Sequence, residues 1–137
     1  MNAGWPIDHV GVAVHDLDAG AAPWRMLGLP EVEDETLPEQ GVRVRLLRSG
    51  TGLIELLAPL DAASPLTRFL ARRGPGLHHV AFRVGDVARE LARLQREGAE
   101  AIDPAPRRGR GGSQVAFLHP RAAGGVLIEL VQPPAAP

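Results

Sequence analysis

The sequence predicts an α+β fold of two paired β-α-β-β-β modules, their sheets curled into a cupped, incomplete mixed β-barrel. The first observation behind this is an internal repeat. Ile7-Asp8-His9-Val10-Gly11-Val12-Ala13-Val14 is answered by Leu77-His78-His79-Val80-Ala81-Phe82-Arg83-Val84, and Gly52-Leu53-Ile54-Glu55-Leu56-Leu57-Ala58-Pro59 by Val126-Leu127-Ile128-Glu129-Leu130-Val131-Gln132-Pro133. The second is that these segments have the aliphatic, β-branched character of strands. The third is that each opening strand is followed by a helix start signal, Asp16 in one half and Asp86 in the other. A chain of 137 residues suits a single domain built from module one at 5–60, a linker helix at 61–75 and module two at 76–133.

The first strand is expected over 7–14. Asp16 caps a helix to about Leu27, which Gly28 ends, while Pro23 inside the pattern should kink the helix or delay its start. Short strands follow near 31–36, 41–48 and 52–58, separated by the turn residues Gly41 and Gly50-Thr51-Gly52. In the linker, Ser64 is the N-cap and Pro65 the first helical residue, with Leu66, Phe69 and Leu70 forming the apolar face. The second half repeats the order. Strand 77–84 leads to Asp86 and a helix with Val87, Leu91 and Leu94 at helical spacing, stopped by Gly98. Strands near 100–103, 113–119 and 125–132 complete it. Arg107–Gly112 reads as a solvated, glycine-rich basic loop and Pro133–Pro137 as a frayed tail.

Each half therefore opens on a strand His and closes on a strand Glu. His9 and Glu55 are 46 residues apart, His79 and Glu129 are 50 apart. Strand alternation tests whether they can meet. Val10, Val12 and Val14 share one face and His9, Gly11 and Ala13 the other; Val80, Phe82 and Val84 oppose His79, Ala81 and Arg83. Ile54 and Leu56 oppose Glu55, as Ile128 and Leu130 oppose Glu129. The large apolar faces suit packing beneath a helix. All four polar candidates fall on the other face, lined with small residues that leave room for a ligand. A buried carboxylate in an apolar run costs several kcal/mol unless partnered. Two imidazoles and two carboxylates converging on one point make a metal site of His9, Glu55, His79 and Glu129. His78 points away from His79 and reads as a packing residue, and His15 as a surface one. His119 either orients the loop before the last strand or lies near the substrate.

Composition excludes several chemistries. With no cysteine there is no disulfide, thiolate zinc site or cysteine nucleophile. All 15 basic residues are arginine, so a Schiff-base lysine is impossible. The net charge of −1 makes no case for nucleic acid or an anionic membrane. No apolar stretch approaches the ~20 residues of a membrane span, and no basic start with an apolar run marks a signal segment. A cytoplasmic protein is expected. The glycines of the basic loop lack the Gly-Lys-Ser/Thr ending of a phosphate loop.

The chain resembles the vicinal oxygen chelate superfamily (the glyoxalase, bleomycin resistance and dioxygenase proteins) and, within it, the methylmalonyl-CoA epimerases. The segments that carry this are Ile7-Asp8-His9-Val10, Pro38-Glu39-Gln40-Gly41-Val42, Glu55-Leu56-Leu57-Ala58-Pro59-Leu60, Gly76-Leu77-His78-His79-Val80-Ala81 and Phe117-Leu118-His119-Pro120, running into Gly124-Gly125-Val126-Leu127-Ile128-Glu129-Leu130. The resemblance implies that His9, Glu55, His79 and Glu129 bind a divalent ion, cobalt foremost, with manganese, nickel and zinc as alternatives. It implies an acyl-CoA substrate, proton transfer at C2 and a homodimer. The repeat itself, which supplies one glutamate per module, makes Glu129 and Glu55 the expected acid/base pair. Some epimerases have glutamine where Glu55 stands. Some carry a further catalytic glutamate on the strand after Pro-Glu-Gln-Gly, where this chain reads Val42-Arg43-Val44-Arg45. The rival readings are a glyoxalase I-type isomerase acting on a glutathione hemithioacetal, and a non-enzymatic metabolite- or drug-binding protein on the same scaffold. An extradiol-type oxygenase, needing two His and one carboxylate, is disfavoured by the extra Glu55.

Overall fold

In a computed structural model, which describes residues 4–135, the chain forms two compact units. One is His9–His78; the other joins the segment through Asp8 to His79–Pro137.

The first unit contains the β1 strand Ile7–Ala13, helix α1 Leu17–Met26, strands β2 Glu31–Leu37, β3 Val42–Ser49 and β4 Gly52–Pro59, and helix α2 Pro65–Arg73. The first two residues of β1 count with the other unit. The strand order is β2-β3-β4-β1, with β4 antiparallel to β3 and parallel to β1. Asp16 caps α1, accepting the Ala19 N–H at 2.8 Å, and Gly28 follows the helix at φ +86°. Pro23 neither delays nor stops the helix, which starts at Leu17 and runs through it to Met26. The cap fixes the first turn before Pro23 can compete, and α1 packs Leu17 and Ala21 against Val12, Val14, Leu47, Leu56 and Ala58. Ser64 caps α2 through its Oγ, 3.2 Å from the Leu66 N–H, with Pro65 first in the helix. Leu66 and Leu70 pack on the opposite face of the sheet, against Ala13, Leu37, Val42, Val44 and Leu57.

Arg45, nearly buried, pins the edge strand. Its guanidinium forks onto the Asp34 carboxylate (Nε–Oδ1 and Nη2–Oδ2, both 2.9 Å), lies 3.0 Å from Asp18 and donates to the Leu17 carbonyl at 3.3 Å. The Arg45 hydrogen bond holds the Asp34 carboxyl below its ordinary value.

The second unit repeats the plan: β5 Gly76–Arg83, α3 Val87–Arg96, β6 Arg107–Arg108, β7 Gln114–Leu118 and β8 Ile128–Gln132. The first three residues of β5 count with the first unit. The order is β5-β8-β7-β6, with β8 parallel to β5 and antiparallel to β7. Asp86 caps α3 through the Arg89 N–H at 3.1 Å. Val87 and Leu91 bury against Val84, Ala116, Leu118 and Leu130, with Leu94, Ile128 and Trp5 at the margin.

Two strand expectations need correction. The strand near 100–103 is a single bridge, Ala101 to Leu118, after which Ile102 and Asp103 both turn their N–H groups to the Phe117 carbonyl. The Asp103 carboxylate takes the Phe117 N–H at 2.7 Å. A side chain thus occupies the donor that a paired strand would use, and Pro104 and Pro106 supply no N–H to extend a ladder. Regular pairing resumes only at β6. The last strand begins at Ile128 rather than 125, because Gly124 at φ +66° and Gly125 at φ +106° close a short turn from Pro120. The end of the expected frayed tail, Ala136 and Pro137, lies outside the described residues.

Candidate metal centre

In the first unit the parallel register sets Glu55 beside Gly11, two residues along β1 from His9. His9 and Glu55 thus share the face opposite α1, where Gly11 has no side chain to crowd them. The His9 Nε2 lies 3.6 Å from Glu55 Oε1, and the residues are 3% and 5% exposed. Val44 and Leu46 of β3, both buried, line the same face, with Leu46 paired directly to Glu55. No carboxylate stands at either position.

The second unit reproduces this arrangement. Glu129 sits beside Ala81, two residues along β5 from His79, and pairs across to Phe117. The His79 Nε2 lies 3.1 Å from Glu129 Oε1, and these residues are also 3% and 5% exposed. The Phe117 ring meets the His79 imidazole edge-on, with centroids 5.5 Å apart. That contact braces the imidazole beside its carboxylate.

Each sequence-predicted His is therefore brought to its own Glu, on the face away from the helix. The chemistry of the donor set fits a divalent ion. Two ligands on one ion, with bonds of about 2.1 Å, stand roughly 3–3.5 Å apart. The His79–Glu129 separation of 3.1 Å falls in that range and the His9–Glu55 separation of 3.6 Å lies just beyond it, and each pair offers one nitrogen and one hard oxygen. Burying two carboxylates in aliphatic strands is costly and needs such compensation.

The other histidines divide as follows. His78 packs its ring against Phe69, centroids 4.8 Å apart in an edge-on contact, as alternation requires. His15 is exposed. His119 is half-buried and caps the turn at Pro120–Ala123, its Nδ1 accepting the Arg121 N–H at 3.1 Å.

The basic loop departs from its sequence reading. Arg107 lies 3.2 Å from the Asp103 carboxylate and over the Phe117 ring, and Arg110, only 17% exposed, reaches 3.7 Å from Asp8. Asp8 itself is buried and also takes the Arg83 guanidinium at 3.2 Å. Two of the three arginines thus answer buried carboxylates. The one available sequence signal was Asp8, a charge inside an apolar strand, which required cationic partners.

The chain matches the family model for the glyoxalase/bleomycin resistance protein/dioxygenase superfamily over residues 8–117. It is 40% identical over 128 residues to an uncharacterised protein of Bacillus subtilis, covering 93% of this chain and 91% of that one. It is 37% identical to an ethylmalonyl-CoA/methylmalonyl-CoA epimerase of Cereibacter sphaeroides, covering 92% and 96%. A substituted methylmalonyl-CoA epimerase of Streptomyces coelicolor, solved in complex with 2-nitronate-propionyl-CoA, superposes with a TM-score of 0.91 at 38% identity, over 97% of this chain and 99% of that one.

Proposed function

The chain belongs to the glyoxalase/bleomycin resistance protein/dioxygenase superfamily, and we propose that within it the protein interconverts (R)- and (S)-methylmalonyl-CoA as a metal-dependent epimerase. The observation that carries the reading is the pair of buried imidazole–carboxylate couples, one per unit, in a chain with epimerase relatives along nearly its whole length. His9, Glu55, His79 and Glu129 would hold the ion together. Cobalt is our first choice for it, with manganese, nickel and zinc sharing the same ligand preference.

The substrate carbon lies between a thioester carbonyl and a carboxylate, and its proton is only weakly acidic. A divalent ion in the site would act as a Lewis acid, polarising the carbonyl oxygen and lowering the cost of negative charge on it by several kcal/mol. The residues supply the rest. Glu129 would be one acid/base; its burial on β8 and its place beside His79 support that role. Glu55, the equivalent residue of the first unit, would be the second acid/base, since epimerisation needs one group to take the proton and another to return it. A carboxylate is a weak base toward a carbon acid, so placement within hydrogen-bond reach must supply much of the rate. The faces around the couples, lined by Val44, Leu46, Phe117 and Val115, exclude water from the reacting centre. The protein is proposed to act in the cytoplasm as a homodimer. No helix among the described residues is long and apolar enough to cross a membrane.

The test is racemisation of methylmalonyl-CoA in heavy water. Metal-stripped protein should neither racemise the substrate nor incorporate deuterium at C2, and adding back a divalent ion should restore both. Turnover of methylglyoxal with glutathione and none of methylmalonyl-CoA would establish the glyoxalase I-type alternative. Tight ligand binding by a metal-free, inactive protein would establish the binding-protein alternative.

A further inference from the structure

We propose that His119 is a substrate-binding residue whose Nε2–H donates a hydrogen bond to the carboxylate of the acyl-CoA. The proposal rests on the epimerase reading and adds to it the group that recognises the acid end of the substrate.

The placement comes from the strand register. On β7, Phe117 pairs with Glu129 and Leu118 with Ile128, so one step further His119 stands level with Leu127. On β5, Val80 pairs with Ile128, which sets His79 level with Leu127 from the other side; the Leu127 carbonyl accepts the Val80 N–H at 3.1 Å. His119, Leu127 and His79 therefore form one cross-strand row, adjacent to the row of Phe117, Glu129 and Ala81. His119 directly follows the end of β7 (φ −59°, ψ 141°), and counting on from Val115 and Phe117 assigns it to the face that carries Glu129. Two strand spacings of about 4.8 Å separate its backbone from that of His79, which suits a group reaching the far end of a small acyl ligand.

The hydrogen bonds decide which ring nitrogen is available. Nδ1 accepts the Arg121 N–H, so it carries no proton, and in the neutral ring the proton is on Nε2. The backbone N–H of His119 is held by the Glu100 carbonyl at 2.8 Å. Anchored at ring and backbone, His119 keeps a donor at Nε2 that no other described residue accepts. Arg121 is a poor rival as the anion receptor, because its guanidinium is bonded to Glu100 at 2.9 and 3.1 Å. A fixed neutral donor beside a balanced ion pair suits a carboxylate oxygen of the substrate.

The two nitrogens have separable roles, which asparagine and glutamine replace one at a time. In H119N the Oδ1 stands near the place of Nδ1 and keeps the cap, while the reach of Nε2 is lost. In H119Q the amide nitrogen extends about as far as Nε2. The holoenzyme of each is assayed for KM and kcat with methylmalonyl-CoA, with metal content and Tm measured in parallel. H119N should raise KM about tenfold, as loss of one hydrogen bond to a charged acceptor implies, with metal content and Tm unchanged. H119Q should recover most of that loss. An H119N enzyme with wild-type KM overturns the proposal, as does an H119Q enzyme no better than H119N. A wild-type protein that binds metal and leaves C2 unexchanged overturns the epimerase reading, and this proposal with it.

Discussion

Glu129 and Glu55 occupy equivalent positions in the two units, and their chemistry should differ only through what surrounds them. Glu129 is closer to its imidazole, 3.1 Å against 3.6 Å, and that imidazole is braced by Phe117. Glu55 faces Leu46, which offers no ring to steady His9. The more tightly placed carboxylate should dominate the proton transfer. Glu129→Gln should reduce deuterium incorporation at C2 by at least a hundredfold, the scale of a general acid/base, while circular dichroism and Tm stay near wild type. Full exchange in that variant would remove Glu129 from the mechanism. Glu55→Gln keeps an oxygen ligand and should cost less. His9, Glu55, His79 and Glu129 were all legible as candidates because a carboxylate amid Leu and Ile is conspicuous and the repeat supplied each with a His. The cationic partners of Asp8 were not legible, because the arginines that answer it lie 75 and 102 residues further along the chain.

Among the elements, the helices were the most readable. Asp16, Ser64 and Asp86 each accept an N–H of the first turn, as their residue types demand. The strand near 100–103 was the least readable, since Ala-Ile-Asp in a short run does not announce that the Asp103 carboxylate will take the donor of its neighbour. Helix α1 contains a further constraint that propensity alone reverses. Gly20 lies mid-helix, where alanine would ordinarily gain about 1 kcal/mol. A Cβ there would stand 2.6 Å from the Val14 Cβ, inside contact distance. Gly20→Ala should therefore lower stability by about 1–3 kcal/mol through forced displacement of α1 from the sheet, read as a reduced midpoint in urea. A stabilised variant would show that α1 can shift without cost.

For the molecule as a whole, the duplication makes a stoichiometric prediction. If both His–Glu couples serve one ion, the purified protein should bind one divalent metal per chain, and His9→Ala and His79→Ala should each abolish it. Metal should also raise Tm by mass action, by an amount growing with the ratio of free metal to Kd. Two ions per chain, with each single variant losing one of them, would mean that each unit binds its own. Equilibrium dialysis with metal analysis decides between these.

The amino-acid sequence by itself determined the repeat, the helix caps and the face on which each candidate ligand stands, because alternation and capping are local rules that residue type obeys within a few positions. It also sufficed for the superfamily. Only the tertiary structure decided how near each His comes to its Glu, that Phe117 braces one of those imidazoles, that Arg107 and Arg110 turn to buried carboxylates, and which nitrogen of His119 is left as a donor. The His–Glu distances and the Phe117 contact depend on strand register, where a shift of a single residue would turn every side chain to the other face. The arginine and His119 contacts depend on how each loop folds, whether the partner is distant, as Asp8 is from Arg110, or a few residues away, as Asp103 is from Arg107 and Arg121 from His119.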